Sequence, residues 1–438
     1  MPRTLEEIGP SELGNDEHKH KRRKLSGNDL YRDVLGCPKF VVAPMVDQSE
    51  LPWRILSRRY GAQLVYTPMI HAKMFGEGTH KNYRDQAFNT KLGEEGGPLD
   101  RPLIVQFCAN DPENLLKAAK IVEPYCDAVD INFGCPQDIA RRGRYGCFLQ
   151  DDWDLVYRLI NILHENLSVP VTAKFRVFSE VEKTVEYAKM MERAGAQILT
   201  CHGRIREQRG QNSGLADWSK IKAVKEAVSV PVFANGNILF HEDIDRCLEA
   251  TGADAVMTAE GNLYNPTILL GASALKDIDS SPPPLPLDTT SLQPALTLAH
   301  GHPRSEFQTF HSDPGAYLPH TTLALEYLSI VRALKTPTAP SAVKGHLFKL
   351  MRPALVIETD LRDRLGRVRG GRPVHEMLDE YEAIVREMAE RMEKAMEASK
   401  EKKPEELVRV DEATGLRILP HWLAQPYFRP LQAKKDGK

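Results

Sequence analysis

Residues 130–147 read Asp130-Ile-Asn-Phe-Gly-Cys-Pro-Gln-Asp-Ile-Ala-Arg-Arg-Gly-Arg-Tyr-Gly-Cys147. An apolar run ends here in Asn132 and then Gly134-Cys135-Pro136. Proline pushes its predecessor towards extended backbone, so Cys135 stands at the mouth of a strand and not inside a helix. Beyond it comes a basic loop with Arg141, Arg142 and Arg144.

The same pattern, an apolar run closing on polar residues, recurs along the chain. The runs are Phe40–Met45, Gln63–Met69, Pro102–Cys108, Ala128–Cys135, Val169–Val177, Ala196–Arg204, Val230–Ile238 and Ala253–Gly261. Each is nearly continuous in apolar residues, as parallel strands covered on both faces require. Helical patterns separate them: Pro52–Tyr60, a helix opened by Asp111-Pro112, Asp152–Asn166, Glu180–Ala194, Trp218–Ala227 and Glu242–Ala250. Eight βα units in about 240 residues predict an α/β fold, a closed (β/α)8 TIM barrel. A doubly wound open sheet is the alternative, since periodicity alone does not prove closure.

The barrel is expected over 37–275, after a disordered leader at 1–36 that is poor in apolar residues and rich in charge. Ser280-Ser-Pro-Pro-Pro-Leu-Pro286 begins a flexible low-complexity insertion at 276–318. A small all-α domain follows at 319–402, with helices at Thr322–Leu334, Ala342–Leu350 and Val374–Lys400, and a polar tail at 403–438.

Composition narrows the function classes. Apolar content of 42% and charged content of 27% suit a soluble chain. No stretch reaches the roughly 18 apolar residues of a membrane span, and no secretory signal begins the chain. The seven cysteines are scattered without CxxC pairs, which argues against a disulfide framework or a metal site. A cytoplasmic or nuclear location is expected. The net charge of −2 gives no general nucleic-acid signature, so basic clusters matter more: Lys19–Lys24, Arg141–Arg144 and Arg362–Arg372. The first reads equally as a nuclear-import signal.

In such barrels function collects at the C-terminal ends of the strands. Those ends carry Pro44-Met45, Gln106, Asn132 with Cys135, Lys174 with Arg176, His202, Asn235-Gly236-Asn237 and Glu260-Gly-Asn262. Gln106, Lys174 and His202 could satisfy one another; a ligand in the mouth would explain all three together. Gly236 lets backbone approach an anion closely, at the strand where such barrels commonly hold phosphate. No G-x-G-x-x-G follows any strand, so a Rossmann nicotinamide site is absent.

Ala43-Pro-Met45, Val105-Gln106, Asp130-Ile-Asn132-Phe-Gly-Cys135-Pro136, Lys174, Cys201-His202-Gly203-Arg204 and Ala234-Asn-Gly236 together resemble the tRNA-dihydrouridine synthases. Gly134-Cys135-Pro136-Gln137, Arg142-Gly143-Arg144-Tyr145-Gly146 and Ala259-Glu-Gly-Asn-Leu-Tyr-Asn-Pro266 resemble the eukaryotic branch acting on D-loop uridines 16 and 17. The resemblance implies FMN-dependent reduction of the uracil C5=C6 bond in tRNA, with NADPH or NADH as transient reductant. It places Pro44, Met45, Val46, Gln106, Lys174, His202, Asn235, Gly236, Asn237, Ala259 and Glu260 around FMN. A glycine-arginine pair of bacterial members is here Glu260-Gly261, so backbone amides are expected to face the phosphate. Cys135 becomes the proton donor to C5, Asn132 helps to hold the base, and Arg141, Arg142, Arg144 and Arg176 contact the RNA. Lys344, Lys349 and Arg352 are expected to give the helical domain a tRNA-docking face. A monomer without metal is expected. The rivals are a flavin barrel acting on a free small molecule, and a non-catalytic RNA-binding chaperone on a decayed barrel.

Overall fold

Eight apolar runs become eight parallel strands: β1 Phe40–Val42, β2 Leu64–Tyr66, β3 Leu103–Cys108, β4 Ala128–Phe133, β5 Val171–Arg176, β6 Ile198–His202, β7 Val232–Asn235 and β8 Ala255–Thr258. The computed structural model describes residues 24–276 and 306–427, apart from 80–81, 211–212, 311–312, 372 and 413. Neighbouring strands pair in order, and Val41 of β1 pairs with both Leu64 of β2 and Met257 of β8. The sheet therefore closes, which decides between barrel and open sheet. A two-residue strand, Ile70–His71, adds to the end of β3. Every residue of β3, β4 and β5 is buried, the consequence of helices outside and packed side chains inside.

Outside the strands run α1 Leu51–Arg59, α2 Pro112–Val122, α3 Asp138–Gly143, α4 Trp153–Asn166, α5 Val181–Arg193, α6 Trp218–Ala227, α7 Glu242–Thr251 and α8 Glu260–Tyr264. Starts are set locally. Asp111 accepts from the amide of Asn114 at 2.8 Å ahead of Pro112, and Asp152 accepts from that of Leu155 at 3.0 Å, each satisfying a donor the helix leaves free. The short helix α3 takes in Arg141 and Arg142 and ends before Arg144, where the sequence suggests a loop throughout.

The interior is layered. Leu64, Ile104, Ala128, Ile198, Phe233 and Ala255 form an apolar floor, and Leu30 and Leu35 pack into the same cluster. The expectation of a disordered leader through residue 36 is thus corrected. Gly27–Asp29 and Leu30–Val34 are helical and cover the bottom of the barrel. Gly27 lies so close to the Gln197 carbonyl that a Cβ would approach it within 1.9 Å. Lys24 donates to the carbonyl of His164 near the end of α4 at 2.7 Å. The rest of the Lys19–Lys24 cluster lies outside the described residues.

The helical unit comprises α9 His320–Ala333, α10 Pro340–Leu350, α11 Thr359–Arg367 and α12 Val374–Glu397. Its core also takes in Trp53, Leu56 and Tyr60 from α1 and its end, and Leu263 of α8, so it shares hydrophobic surface with the barrel. Trp53 donates its indole N–H to Asn262 at 2.8 Å and stacks on His346 with ring centres 3.9 Å apart. Glu50 receives the Tyr327 hydroxyl at 2.7 Å and meets His346 Nε2 at 3.0 Å.

Two further boundaries are corrected. The end of the expected insertion is ordered: Gln308–Phe310 and Asp313–Tyr317 form an antiparallel pair, and Ala316 donates to Leu270. Its proline-rich start lies outside the described residues. The tail folds back through residue 427. Trp422 accepts from the His320 amide, Ala424 donates to Leu318, and Leu423 is fully buried. Among the described residues no helix is long and apolar enough to cross a membrane.

Arg54 of α1 is wholly buried, doubly bonded to Asp100 at 2.8 and 2.6 Å and contacting Glu95 at 3.1 Å. Removing one member of such a cluster leaves uncompensated charge. Arg54→Met should therefore cost about 3–5 kcal/mol, read as a lowered urea midpoint. Leu30→Ala should cost about 2–5 kcal/mol as a core truncation; a loss below about 0.5 kcal/mol, typical of surface positions, would return the leader to disorder.

Candidate active site

Above the apolar floor the inward-facing positions turn polar. Parallel register brings Gln106 level with Asp130, Asn132 level with Lys174, Arg176 with His202, and His202 with Asn235. Gln106, Asp130, Asn132, Lys174, Arg176 and Asn235 are all buried. Water is excluded, so each must find a protein partner or a ligand.

Gln106 donates Nε2–H to Asp130 at 2.7 Å and accepts at Oε1 from Asn132 at 2.9 Å. Lys174 donates to Asn235 Oδ1 at 2.8 Å, and Asn235 donates to the Met257 carbonyl at 2.9 Å. The His202 ring meets Arg204 at 3.2 Å. Gln106, Lys174 and His202 therefore do not satisfy one another; each has a different partner.

Charge in this layer is mostly positive. Burial, then Arg176, lowers the Lys174 ammonium to about 8, while Asp130 pulls it upward. Burial followed by Lys174, Arg176 and Arg204 drives His202 well below its usual value, so it is neutral. Burial raises the Asp130 carboxyl to about 6, against the hydrogen bonds from Thr172 and Gln106. A mouth with Lys174, Arg176 and Arg204 against one buried carboxyl suits an anion.

The turn after β7 is shaped for close approach. Gly236 has φ +118°, and a Cβ there would come within 2.6 Å of Ala216. Asn237 has φ +65° and is locked by Ala216, whose amide it accepts from at 2.9 Å. Arg204 reaches the same Asn237 side chain at 3.0 Å. Arg204 is absent from the residues that sequence reasoning places in the site, although it stands in the quoted family motif. Its signal is position: two residues past His202, at the same mouth as the glycine turn.

Cys135 is half-buried. Asn132 Oδ1 accepts from the amides of Gly134 at 3.1 Å and Cys135 at 2.8 Å. The Cys135 carbonyl takes the Cys147 amide at 3.2 Å. Gly146 packs against it so tightly that a Cβ would lie 2.6 Å from that oxygen. Burial raises the thiol above its usual range, with Arg176 and Lys174 acting in the opposite sense. The thiol is protonated at neutral pH. Cys108, Cys147 and Cys201 are buried and free.

Several expectations about residues change here. Arg176 does not extend to solvent; it clamps the Gly134, Ile205 and Gln208 carbonyls at 2.9, 2.9 and 2.8 Å, tying the Cys135 loop to the one after β6. Asn132 is engaged in holding that loop. Lys344 caps α11, bonding the Gly366 and Val368 carbonyls. Arg352 lies over the Tyr427 ring at 3.4 Å. Lys349 binds Gln48 at 2.6 Å on the seam beside the mouth, with Glu260 and Glu50 near enough to oppose the lowering that burial imposes on it. These three basic residues do not form one free face. Arg141, Arg142 and Arg144 are exposed beside Cys135. Pro44 and Met45 follow β1 at the rim and Val46 is 57% exposed. Ala259 and Glu260 open α8 next to them, since β8 pairs with β1, and the Glu260 side chain is exposed. Among the described residues no cluster of His, Cys, Asp and Glu could hold a metal ion.

A family model described as "Dihydrouridine synthase (Dus)" matches residues 41–302. The chain is 45% identical over 415 residues to the tRNA-dihydrouridine(16/17) synthase [NAD(P)(+)] of Schizosaccharomyces pombe, covering 94% of this chain and 92% of that protein. It is 45% identical over 426 residues to the protein of the same name from Saccharomyces cerevisiae, covering 95% and 89%. A Rattus norvegicus relative, named tRNA-dihydrouridine(16/17) synthase [NAD(P)(+)]-like, is 44% identical over 414 residues, covering 94% of this chain and 79% of that protein. With its closed barrel, its polar mouth and a match over more than half its length, the chain belongs to the dihydrouridine synthase family.

Proposed function

We propose that this chain reduces uridine to dihydrouridine at positions 16 and 17 of the tRNA D-loop, with FMN bound in the barrel mouth and NAD(P)H as the source of electrons. The support is the similarity to relatives carrying that name over nearly their whole length. The single structural observation that carries the reading is a protonated, half-buried thiol beside a mouth of buried cations.

The residues present fit FMN. The positive-φ turn at Gly236 and Asn237 stands beside Arg204 and neutral His202, an end of the mouth that suits an anionic group. Lys174 offers a buried ammonium for an anionic ring edge, and Gln106 retains one amide hydrogen beyond the one it gives Asp130. Arg204, held at the glycine turn by Asn237, would be the side chain that neutralises its phosphate. When bound, FMN supplies a hydride.

Reduction of the C5=C6 bond requires hydride at C6 and a proton at C5. The electron pair of the double bond passes towards C5 and the adjoining carbonyl, and C5 then takes a proton. Cys135 supplies it: the S–H bond breaks, a C–H bond forms, and a thiolate remains that solvent reprotonates. Lys174 and Arg176 stand close enough to stabilise that thiolate. The target base must leave the folded tRNA to reach the mouth, at a cost of a few kcal/mol. Arg141, Arg142 and Arg144 project from α3 and its end next to Cys135, where backbone phosphates of the extruded strand would offset it.

Cys135→Ala should slow dihydrouridine formation about 100- to 10,000-fold, the usual worth of a placed proton donor, with flavin content unchanged; nucleoside analysis of treated tRNA is the measurement. Wild-type rates in that variant would remove the thiol from the chemistry. Because the active form is the protonated thiol and burial raises its pKa, activity should persist above about pH 8.5, the ordinary midpoint of a free cysteine, and fall only at higher pH. Replacing Arg141, Arg142 and Arg144 by Gln should flatten the slope of log affinity for tRNA against log salt by about 2, at roughly 0.7 per lost phosphate contact.

A further inference from the structure

From the hydrogen-bond geometry we infer that Asp130 is a positioning residue: it sets the direction of a relay, Asp130–Gln106–Asn132, that holds the Cys135 loop in its working conformation. The inference rests on the reading of Cys135 as the proton donor. Asp130 touches none of the reacting atoms and acts through two amides.

Asp130 lies in the middle of β4, wholly buried. Its two oxygens take the Thr172 hydroxyl at 2.6 Å and Gln106 Nε2 at 2.7 Å. An ionised carboxylate only accepts, so the NH2 end of Gln106 must face it. Gln106 Oε1 then faces Asn132 and takes its Nδ2–H at 2.9 Å. Asn132 in turn has only its oxygen left to aim at the mouth, and that oxygen receives the Gly134 and Cys135 amides.

A side-chain amide can rotate by half a turn with almost no change of shape. Nothing in the packing of Gln106 or Asn132 alone selects one orientation. The two ends select it: acceptor-only Asp130 inside, donor-only backbone amides outside. Both ends demand the same direction, so each link reinforces the next. Without the inner end, Gln106 has a buried donor unsatisfied, and the orientation of both amides is held from the loop alone. In the loop conformation that these bonds hold, the Cys135 thiol is half-buried. Burial is the chief reason its pKa is raised.

Around Cys135 stand Lys174 and Arg176 of β5, Cys108 of β3, and Tyr145 and Cys147 of its own loop. The Gln137 backbone amide also bonds the thiol, in the lowering sense. Lys174 feels Asp130 directly, and without that charge its ammonium is lowered further; Asp130→Asn removes the same charge and Gln106→Leu leaves it in place, so the two variants separate that effect from the relay. Cys37, exposed just ahead of β1, serves as an internal reference.

The test is the rate of iodoacetamide alkylation at Cys135 relative to Cys37 in the flavin-loaded protein, mapped by mass spectrometry from about pH 6.5 to about pH 10, a window spanning the free-thiol midpoint. In Asp130→Leu the Cys135 rate at about pH 7.5 should rise severalfold relative to Cys37, as its raised midpoint falls towards the free-thiol value. Asp130→Asn should restore the wild-type profile, because its amide can turn its oxygen to Gln106 and its NH2 to the Thr172 hydroxyl. Gln106→Leu cuts the same relay one link further out and should give the same change, and adding Asp130→Leu to it should add no more than the loss of the Asp130 charge does in Asp130→Asn. Should Asp130→Leu not fold, the Gln106→Leu result stands in its place. An unchanged Cys135 profile in either Leu variant, or additive effects in the double variant, overturns the inference. Alkylation needs neither tRNA nor turnover. A changed profile in an enzyme that forms no dihydrouridine would therefore sink the proposed function and leave the relay standing.

Discussion

A closed barrel makes an unpartnered polar group costly, and this one encloses a carboxylate, an ammonium, two guanidinium-bearing residues and several amides at its mouth. Desolvation makes each of them costly alone, so their mutual hydrogen bonds decide where every functional side chain points. Lys174 is fixed by Asn235, Gln106 by Asp130, and the Cys135 loop by Asn132 and Arg176. The apolar floor below, with Leu30 and Leu35 closing it, keeps water from offering alternatives. Order at the mouth is a consequence of dryness beneath it.

The helical unit is tied to this mouth by the first barrel helix. α1 carries Trp53 into the helical core, while its N-terminal neighbour Glu50 meets Tyr327 and His346. From the same helix Arg54 anchors the loop before β3 through Asp100. One element therefore fixes both the helical unit and part of the barrel wall. The returning tail adds a second tie: Arg417 meets Glu242 of α7 at 3.0 Å and Asp313 of the hairpin at 3.4 Å. Rigid attachment at two places suits a large substrate whose docking and reacting parts must keep a fixed separation.

Much of the fold is legible in the sequence because parallel strands buried on both faces must be nearly continuous in apolar residues, and all eight are. Positions at strand ends are legible too, since a polar residue closing an apolar run is conspicuous: Gln106, Lys174, His202 and Asn235 all reach the mouth. Roles are harder. Arg176, Lys344 and Arg352 read as phosphate contacts because a sequence shows charge but not the carbonyl or ring that will hold it. Leu30 and Leu35 are hidden by the charged residues around them, although two leucines are enough to close a barrel floor. The hairpin at 308–317 and the returning Trp422-Leu423 escape for a related reason: their partners are distant in the chain, and short irregular segments have no period to betray them. Asp130 stands inside a conspicuous motif yet suggests no role, because a single acid in a strand has no obvious reading until its partners are seen.

Asp130 and Lys174 also show how the site is balanced against stability. A buried carboxyl raised from its ordinary 3.8 to about 6 binds protons more tightly folded than unfolded. Folding stability from this group is therefore fully present below the ordinary carboxyl midpoint and is lost as pH rises through about 6. The loss is roughly 3 kcal/mol at neutral pH, at about 1.4 kcal/mol for each pH unit by which the midpoint moves. Lys174, lowered from 10.5 to about 8, works in the other direction: its folded form sheds the proton more readily, so stability falls as pH drops from 10.5 to about 8. At neutral pH both groups are charged in a dry place, and both disfavour folding. An anion seated beside Lys174 relieves one of these costs directly, and the same contact makes the ammonium a better partner for Asn235. The cost held in this layer is thus a source of binding energy for whatever negative group the barrel is built to take, which is why a polar layer that weakens the fold can be retained at the place where the ligand sits.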